Sequence, residues 1–351
     1  MRSAHSGLAT SLLVVIAVLG AGLAAPPVAA QTFVQSFGNG ILGNPRDVAI
    51  DLADGSKVFV ADRLNGDVAV FTSGGAALTT IGNTSLTAPV GVAIDAAHDN
   101  LVVTDLTGRR VGQVVVFSAT ATMSTPPTRG FSGADISSPC GAIPFQEPFG
   151  VAVDPATDDI VVADFLADRV LVFSNLGDCV TTFGSPGSGQ GQFDGPAGVA
   201  IDPTNGDILI AEQFNKRVQV FTGISAPGGI AFKQTIGDGI LLQPARVTVD
   251  AAHGGNVLVT DQQLDEILVF SPTGAQLGQI TGPGGSVGPF VPAGLASDIA
   301  NGDNLVVVDV QNSQIDVFTN GFVAVPTLRF WALSLAALLL GAVGWRAVRF
   351  G

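Results

Sequence analysis

A phrase of the form Pro-x-x-Val-x-Val/Ile-Asp recurs along this chain, five times closely and a sixth time loosely. The copies start at Pro45, Pro89, Pro148, Pro196, Pro244 and Pro292, and the last carries Leu295-Ala296-Ser297 where the others have Val-x-Val/Ile. An acid stands six residues after each proline: Asp51, Asp95, Asp154, Asp202, Asp250 and Asp298. Subtracting their numbers gives intervals of 44, 59, 48, 48 and 48 residues. A period in the forties, filled with short strand-like runs, is the sequence signature of a propeller blade. The repeat constrains the architecture tightly and the activity hardly at all, because identical blades carry many unrelated functions.

The third copy shows the strands most clearly. Gly150-Val151-Ala152-Val153-Asp154 reads as an inner strand, and Pro155-Ala156-Thr157-Asp158 as the turn after it. Ile160-Val161-Val162-Ala163-Asp164, Arg169-Val170-Leu171-Val172-Phe173 and Cys179-Val180-Thr181-Thr182-Phe183-Gly184 follow as second, third and fourth strands. Their β-branched runs are nearly continuous because both faces of a blade are covered by neighbours. The succession Pro-x-Gly-Val-Ala-Val-Asp, Val-Val-Ala-Asp, Arg-Val-x-Val-Phe resembles the NHL repeat. The fourth copy repeats it from Pro196 to Phe221, after a Gly189-Gln190-Gly191-Gln192-Phe193 linker also typical of that family. The resemblance runs from about Gln31 to Phe318. It implies an all-β, six-bladed β-propeller of four-stranded blades.

Counting strands predicts how the ring closes. Fourth-strand candidates exist at Leu78–Ile81, Thr128–Phe131, Val180–Phe183, Phe232–Ile236 and Leu277–Ile280, one fewer than the six copies. Phe33-Val34-Gln35-Ser36-Phe37-Gly38 looks like a fourth strand with no blade before it. Pairing it with the blade built from 292–318 hides both sheet edges. The segment after Phe318 then has no place in the ring and reads as a tether. The 59-residue interval marks an insertion within Ser118–Glu147, and Gly112-Gln113 lengthens the third strand of blade 2, in the manner of a bulge.

Both ends of the chain carry addresses. Arg2, the apolar run Leu12–Leu19 and Val28-Ala29-Ala30 read as a signal peptide over residues 1–30. The propeller is expected at 31–320, a tether and sorting motif at 321–328, and a hydrophobic helix with a basic end at 329–351, outside the ring. Val325-Pro326-Thr327-Leu328, the apolar stretch Phe330–Trp345, and Arg346 and Arg349 resemble the bacterial IPTL-type C-terminal sorting segment, with Val325 in place of the usual isoleucine. That resemblance implies recognition by a membrane-embedded sorting enzyme and delivery to the cell envelope or surface of a bacterium. Between these ends lie 29 acids and 11 bases (15 less Arg2, Arg329, Arg346 and Arg349), a net charge of −18. Such a surface repels phosphate backbones and argues against nucleic acid; the propeller is expected to be a monomer.

Few residues are equipped for chemistry. Tyrosine is absent, and of three histidines His5 falls in the signal peptide. His98 and His253 occupy equivalent Asp-Ala-Ala-His turns of blades 2 and 5, where exposed turn residues are expected. The zinc-binding histidines and nearby tyrosine of the related amidating lyases have nothing to map onto. No Gly-x-Ser-x-Gly elbow occurs. Cys140, in the insertion, and Cys179, in blade 3, either form a disulfide or remain two free thiols. The second-strand acids Asp62, Asp105, Asp164, Glu212, Asp261 and Asp309 suit backbone capping, with a calcium ring as the competing use. Five residues after each stands a varied position, Asp67, Arg110, Arg169, Arg217, Glu266 and Gln314. With Arg109 and Lys216 it makes a basic arc over blades 2 to 4, suited to a carboxylate, phosphate or acidic polymer; the alternative is that each arginine pairs with an acid of its blade. The expected function is a non-catalytic binding or scaffold module for a protein, glycan or anionic ligand, with no cofactor and no catalytic or metal residue assigned. The competing reading is a metal-dependent extracytoplasmic lyase or lactonase acting in the propeller channel.

Overall fold

Each recurring phrase forms the innermost strand of a blade: Pro45–Asp51, Pro89–Asp95, Pro148–Val153, Pro196–Ile201, Pro244–Asp250 and Pro292–Asp298. Proline suits the first position of a strand, where its missing N–H leaves no ladder bond unmade. The computed structural model describes residues 31–319 other than 54–55, 83, 109–110, 123–124, 133–139, 141–143, 284–288 and 301–302. The expected signal peptide, sorting motif and C-terminal helix lie outside these residues, as do Arg109 and Arg110.

Six four-stranded antiparallel sheets make the domain, each running from inner to outer strand in chain order but one. The exception is blade 6, where Phe33–Phe37 forms the outer strand beside Gln314–Thr319 and inner strand Pro292–Asp298 lies at the far edge. Phe33 pairs with Phe318 and Phe37 with Ile315, so the N-terminal strand closes the ring as the strand count requires. Each inner strand also packs on the inner strands of the two flanking blades, blade 6 on blade 1 included.

The core lies between blades. One cluster joins Phe59 and Val70 of blade 1 to Leu101 and Phe117 of blade 2; another joins Val172 of blade 3 to Ile208 and Phe221 of blade 4. The phenylalanine near the end of every third strand (Phe71, Phe117, Phe173, Phe221, Phe270, Phe318) is buried. Burying such a side chain contributes roughly 1.5–3 kcal/mol, and the repeat supplies it six times. The insertion of blade 2 adds to this core: Phe145 is fully buried, its ring 5.7 Å from that of Phe173. Cys140 and Cys179 are joined by a disulfide, with Cα atoms 6.1 Å apart, which fastens the insertion to the outer strand of blade 3. In blade 2 the register shift falls on the second strand, between Leu106 and Gly108, opposite Gly112 rather than within the Gly112-Gln113 strand.

Candidate ligand site at the channel mouth

Register places three repeat positions on one face of the ring. In blade 1 Pro45 lies opposite Asp62, and Asp62 opposite Asp67; Pro196, Glu212 and Arg217 do the same in blade 4. Each second-strand acid is buried and accepts backbone N–H bonds from the segment leading into its own blade. Asp62 takes those of Gly43 and Asn44, Asp105 those of Thr87 and Ala88, and Asp164 those of Gln146 and Glu147. Glu212 receives Asp194 N–H, Asp261 receives Leu242 and Gln243, and Asp309 receives Val291. These carboxylates clamp each linker to the next blade.

Two arginines of the varied position are engaged within their own blades. Arg169 is buried and sends Nε and Nη2 to Asp164 Oδ2, with Nη2 also on Pro144 O. Burial is the main force raising the Asp164 carboxyl, opposed by the Glu147 amide and Arg169. Arg217 pairs with Glu212 Oε1 at 2.7 Å and donates to the carbonyls of Ser188, Gly189 and Gln192. Lys216 is exposed, in a left-handed turn conformation (φ 57°) that Asp168 and Asp265 share at the matching positions. Blade 1 has Asp67 where these arginines stand, and burial with the adjacent Asp62 pushes its carboxyl up to about 6.

The histidine turns lie at the other end of the inner strands. His253 is half-buried rather than exposed: Nδ1 is 2.9 Å from Asp250 and Nε2 3.0 Å from Asp303 of blade 6. His98 makes the matching contact with Asp95, and its Nε2 is 3.3 Å from Asn175 of blade 3. Among the described residues, Asp95, His98 and Asp158, and likewise Asp250, His253 and Asp303, offer ligand atoms within 4.8 Å of one another. The second-strand acids belong to neither group.

The axis itself holds the most unusual arrangement. The second residue after the phrase's proline is glycine in four blades: Gly91, Gly150, Gly198 and Gly294. A Cβ on Gly91 would stand 2.2 Å from Phe149 O, and one on Gly294 2.5 Å from Asp47 Cα, so the inner strands approach here too closely for a side chain. The other two blades place Asp47 and Arg246 at this level. Arg246 is buried and its guanidinium spans the axis, donating to Val90 O of blade 2 (2.7 Å), Ala197 O of blade 4 (3.1 Å) and Ala245 O (3.2 Å). Its Nε lies 3.1 Å from Asp47 Oδ2, an ion pair whose N–H is not aligned on the oxygen. Burial pushes the Asp47 carboxyl up, and Arg246 pulls it back down.

This pair divides the channel. Toward the histidine turns is a chamber of about 370 Å³ lined by inner-strand residues of all six blades. Toward the opposite face is a cavity of about 40 Å³, ringed by the residue after each proline: Arg46, Val90, Phe149, Ala197, Ala245 and Ala293. Arg63, Gln213 and Gln262, each directly following a second-strand acid, complete its rim. Arg46 is half-buried; desolvation, then Arg63, then Arg246 bring its guanidinium down to about 10. Its Nε is buried without a hydrogen-bond partner among the described residues. Phe149 stacks on Phe165 (centroids 4.7 Å apart, planes at 20°), and Phe165 meets the exposed Phe214 at 5.5 Å. The signal that marks this site in the sequence is the pair of opposite charges, Asp47 and Arg246, at a position otherwise glycine.

Residues 193–221 match the family model of the NHL repeat. No curated protein sequence matches the chain. Among solved structures, a candidate gluconolactonase is similar at 13% identity and a TM-score of 0.62, over 86% of this chain and 96% of that one. A catalytically inactive variant of virginiamycin B lyase from Staphylococcus aureus, with quinupristin, is similar at 14% identity and 0.50, over 78% and 80%. The nidogen/laminin complex contributes a chain similar at 17% identity and 0.51, over 68% and 80%. These likenesses show the six-bladed fold.

Proposed function

We propose that this protein is an exported propeller displayed at the bacterial envelope, a non-catalytic binding module that takes its ligand at the channel mouth. The observation that carries the reading is the mouth itself. Arg46, Arg63, Gln213 and Gln262 gather donors on the axis of a domain whose net charge is −18 (11 bases less 29 acids). Fixed donors at a low-dielectric opening focus potential there and draw an anionic group out of solvent. The leader-like residues 1–30 and the Val325-Pro326-Thr327-Leu328 segment support export and handling by a membrane-embedded sorting enzyme. The test is an array of glycans and envelope components probed with the full-length chain and with Arg63→Glu. Ligands lost on charge reversal support the mouth; a set of ligands held equally by both proteins overturns it.

A metal-dependent lyase or lactonase is the second reading, favoured by one observation. Asp250 lines the 370 Å³ chamber and belongs to the Asp250–His253–Asp303 group, which has the donor set of a zinc or calcium site. Metal analysis of the purified full-length chain separates the two, since stoichiometric zinc or calcium favours the enzyme.

A further inference from the structure

We infer that the channel mouth is a site for a small amphipathic oxyanion, its charged head between Arg46 and Arg63 and its apolar body against Phe149 on the cavity wall; this rests on the binding reading above and gives it a ligand class. The cavity has the size of a head group. Its roughly 40 Å³ would hold about three waters at 10–15 Å³ each, or one carboxylate or phosphate.

The charges around it are unbalanced. Arg246 is already matched by Asp47, whereas among the described residues no acid lines the mouth cavity beside Arg46 and Arg63. Arg46 is desolvated, repelled by two other guanidiniums, and carries a buried Nε that donates to none of the described residues. A buried donor left without an acceptor is unfavourable, and an oxyanion within reach would remove that deficit. Arginine forks suit carboxylate and phosphate oxygens in two-point contact, and the Gln213 and Gln262 amides add neutral donors at the rim.

The second half of the site is apolar. Phe149 lines the cavity, stacks on Phe165 and continues through that ring to Phe214, which is 56% exposed. An aromatic ring on the wall of a cationic hole, backed by the buried Phe165, fits a ligand with one anionic end and one hydrophobic end. A long polyanion fits less well, because it would run from the hole across a strongly acidic domain.

Calorimetric titration of the full-length chain with phenylacetate, phenyl phosphate, inorganic phosphate and benzyl alcohol tests this. One equivalent of phenylacetate or phenyl phosphate should bind, and whichever is tighter identifies the head group. Inorganic phosphate and benzyl alcohol, each lacking one half, should bind at least tenfold more weakly. Arg46→Met and Arg63→Gln should each weaken the aryl anion at least tenfold while circular dichroism shows the fold intact. Equal affinity for benzyl alcohol, unchanged affinity in the Arg46→Met/Arg63→Gln double variant, or no binding of any probe at 10 mM (a concentration about a thousandfold above a Kd of 10 μM) overturns the inference. Should the array hits described above still vanish in Arg63→Glu, the binding face stands and only the small-anion ligand falls.

Discussion

Removing the guanidinium of Arg246 should destabilise the propeller more than removing the charge of its partner. Arg246→Met deletes the ion pair at 3.1 Å and the bonds to Val90, Ala197 and Ala245, and leaves Asp47 buried without a cation. Breaking a buried pair from one side costs about 3–5 kcal/mol. Asp47→Asn is milder, because Arg246 keeps its three carbonyl acceptors and only the charge attraction of the pair is lost, so its cost should be smaller than that of Arg246→Met. In the double variant no buried charge is stranded on the carboxylate side, so its loss should fall short of the sum by about 2 kcal/mol, within the range for residues in contact. The sign with pH follows from the acid. Burial raises the folded-state pKa of Asp47, so the ionised form penalises Arg246→Met at neutral pH and protonation relieves it. The gap between variant and wild type should therefore narrow as pH falls from 7 toward 4. Urea unfolding of the full-length chain followed by far-UV circular dichroism gives the four free energies. A loss below about 1 kcal/mol for Arg246→Met, or strict additivity in the double variant, would show that the axial pair does not hold the inner strands together.

Arg46→Met should stabilise the protein by about 1–2 kcal/mol after solvent screening: desolvation and the guanidiniums of Arg63 and Arg246 hold this base down at about 10 and disfavour its charge in the fold. That gain is present below pH 10 and shrinks as pH rises beyond it; a destabilised variant in the same unfolding assay would show a favourable partner for Arg46. Asp67→Asn should add about 1 kcal/mol at pH 7, because an acid raised to about 6 weakens the fold as pH climbs from about 4 through 6, and screening near the surface trims the full shift. Wild type and variant should converge below pH 4, and parallel pH profiles would contradict the raised carboxyl that burial and then Asp62 produce. Deleting residues 31–38 removes the strand that pairs Phe33 with Phe318 and packs Phe37 on Phe71. The melting temperature should drop on the order of 10 °C, from about 4 kcal/mol of lost burial and pairing, and an unchanged melt would argue that the ring closes without it.

The acids illustrate how far local reasoning reaches. Asp62, Asp105, Asp164, Glu212, Asp261 and Asp309 read as backbone caps from one fixed position in each repeat, and each accepts N–H bonds from its linker. Arg169 and Arg217 are harder. Their spacing five residues after an acid suits both a free basic arc and an ion pair, and only the strand register brings guanidinium and carboxylate face to face. His253 reads as an exposed turn residue in the sequence because its second contact, Asp303, belongs to the next blade.

What the sequence determined by itself was everything that repeats: the period, the strand pattern, the blade count and the need for an N-terminal closing strand. Those features come from local hydrophobic patterning and turn chemistry, which each copy states again. Tertiary structure alone decided what happens on the axis. Arg246 reaches Val90, 156 positions away, because six glycine-thinned or charge-bearing strands converge to within one side chain's length. Arg46 and Arg63 are neighbours within blade 1, where Pro45 lies opposite Asp62, and the closed ring brings Arg246 of blade 5 and Phe149 of blade 3 to the same cavity. Convergence of distant strands on a common axis is a property of the closed ring, and no single blade contains it.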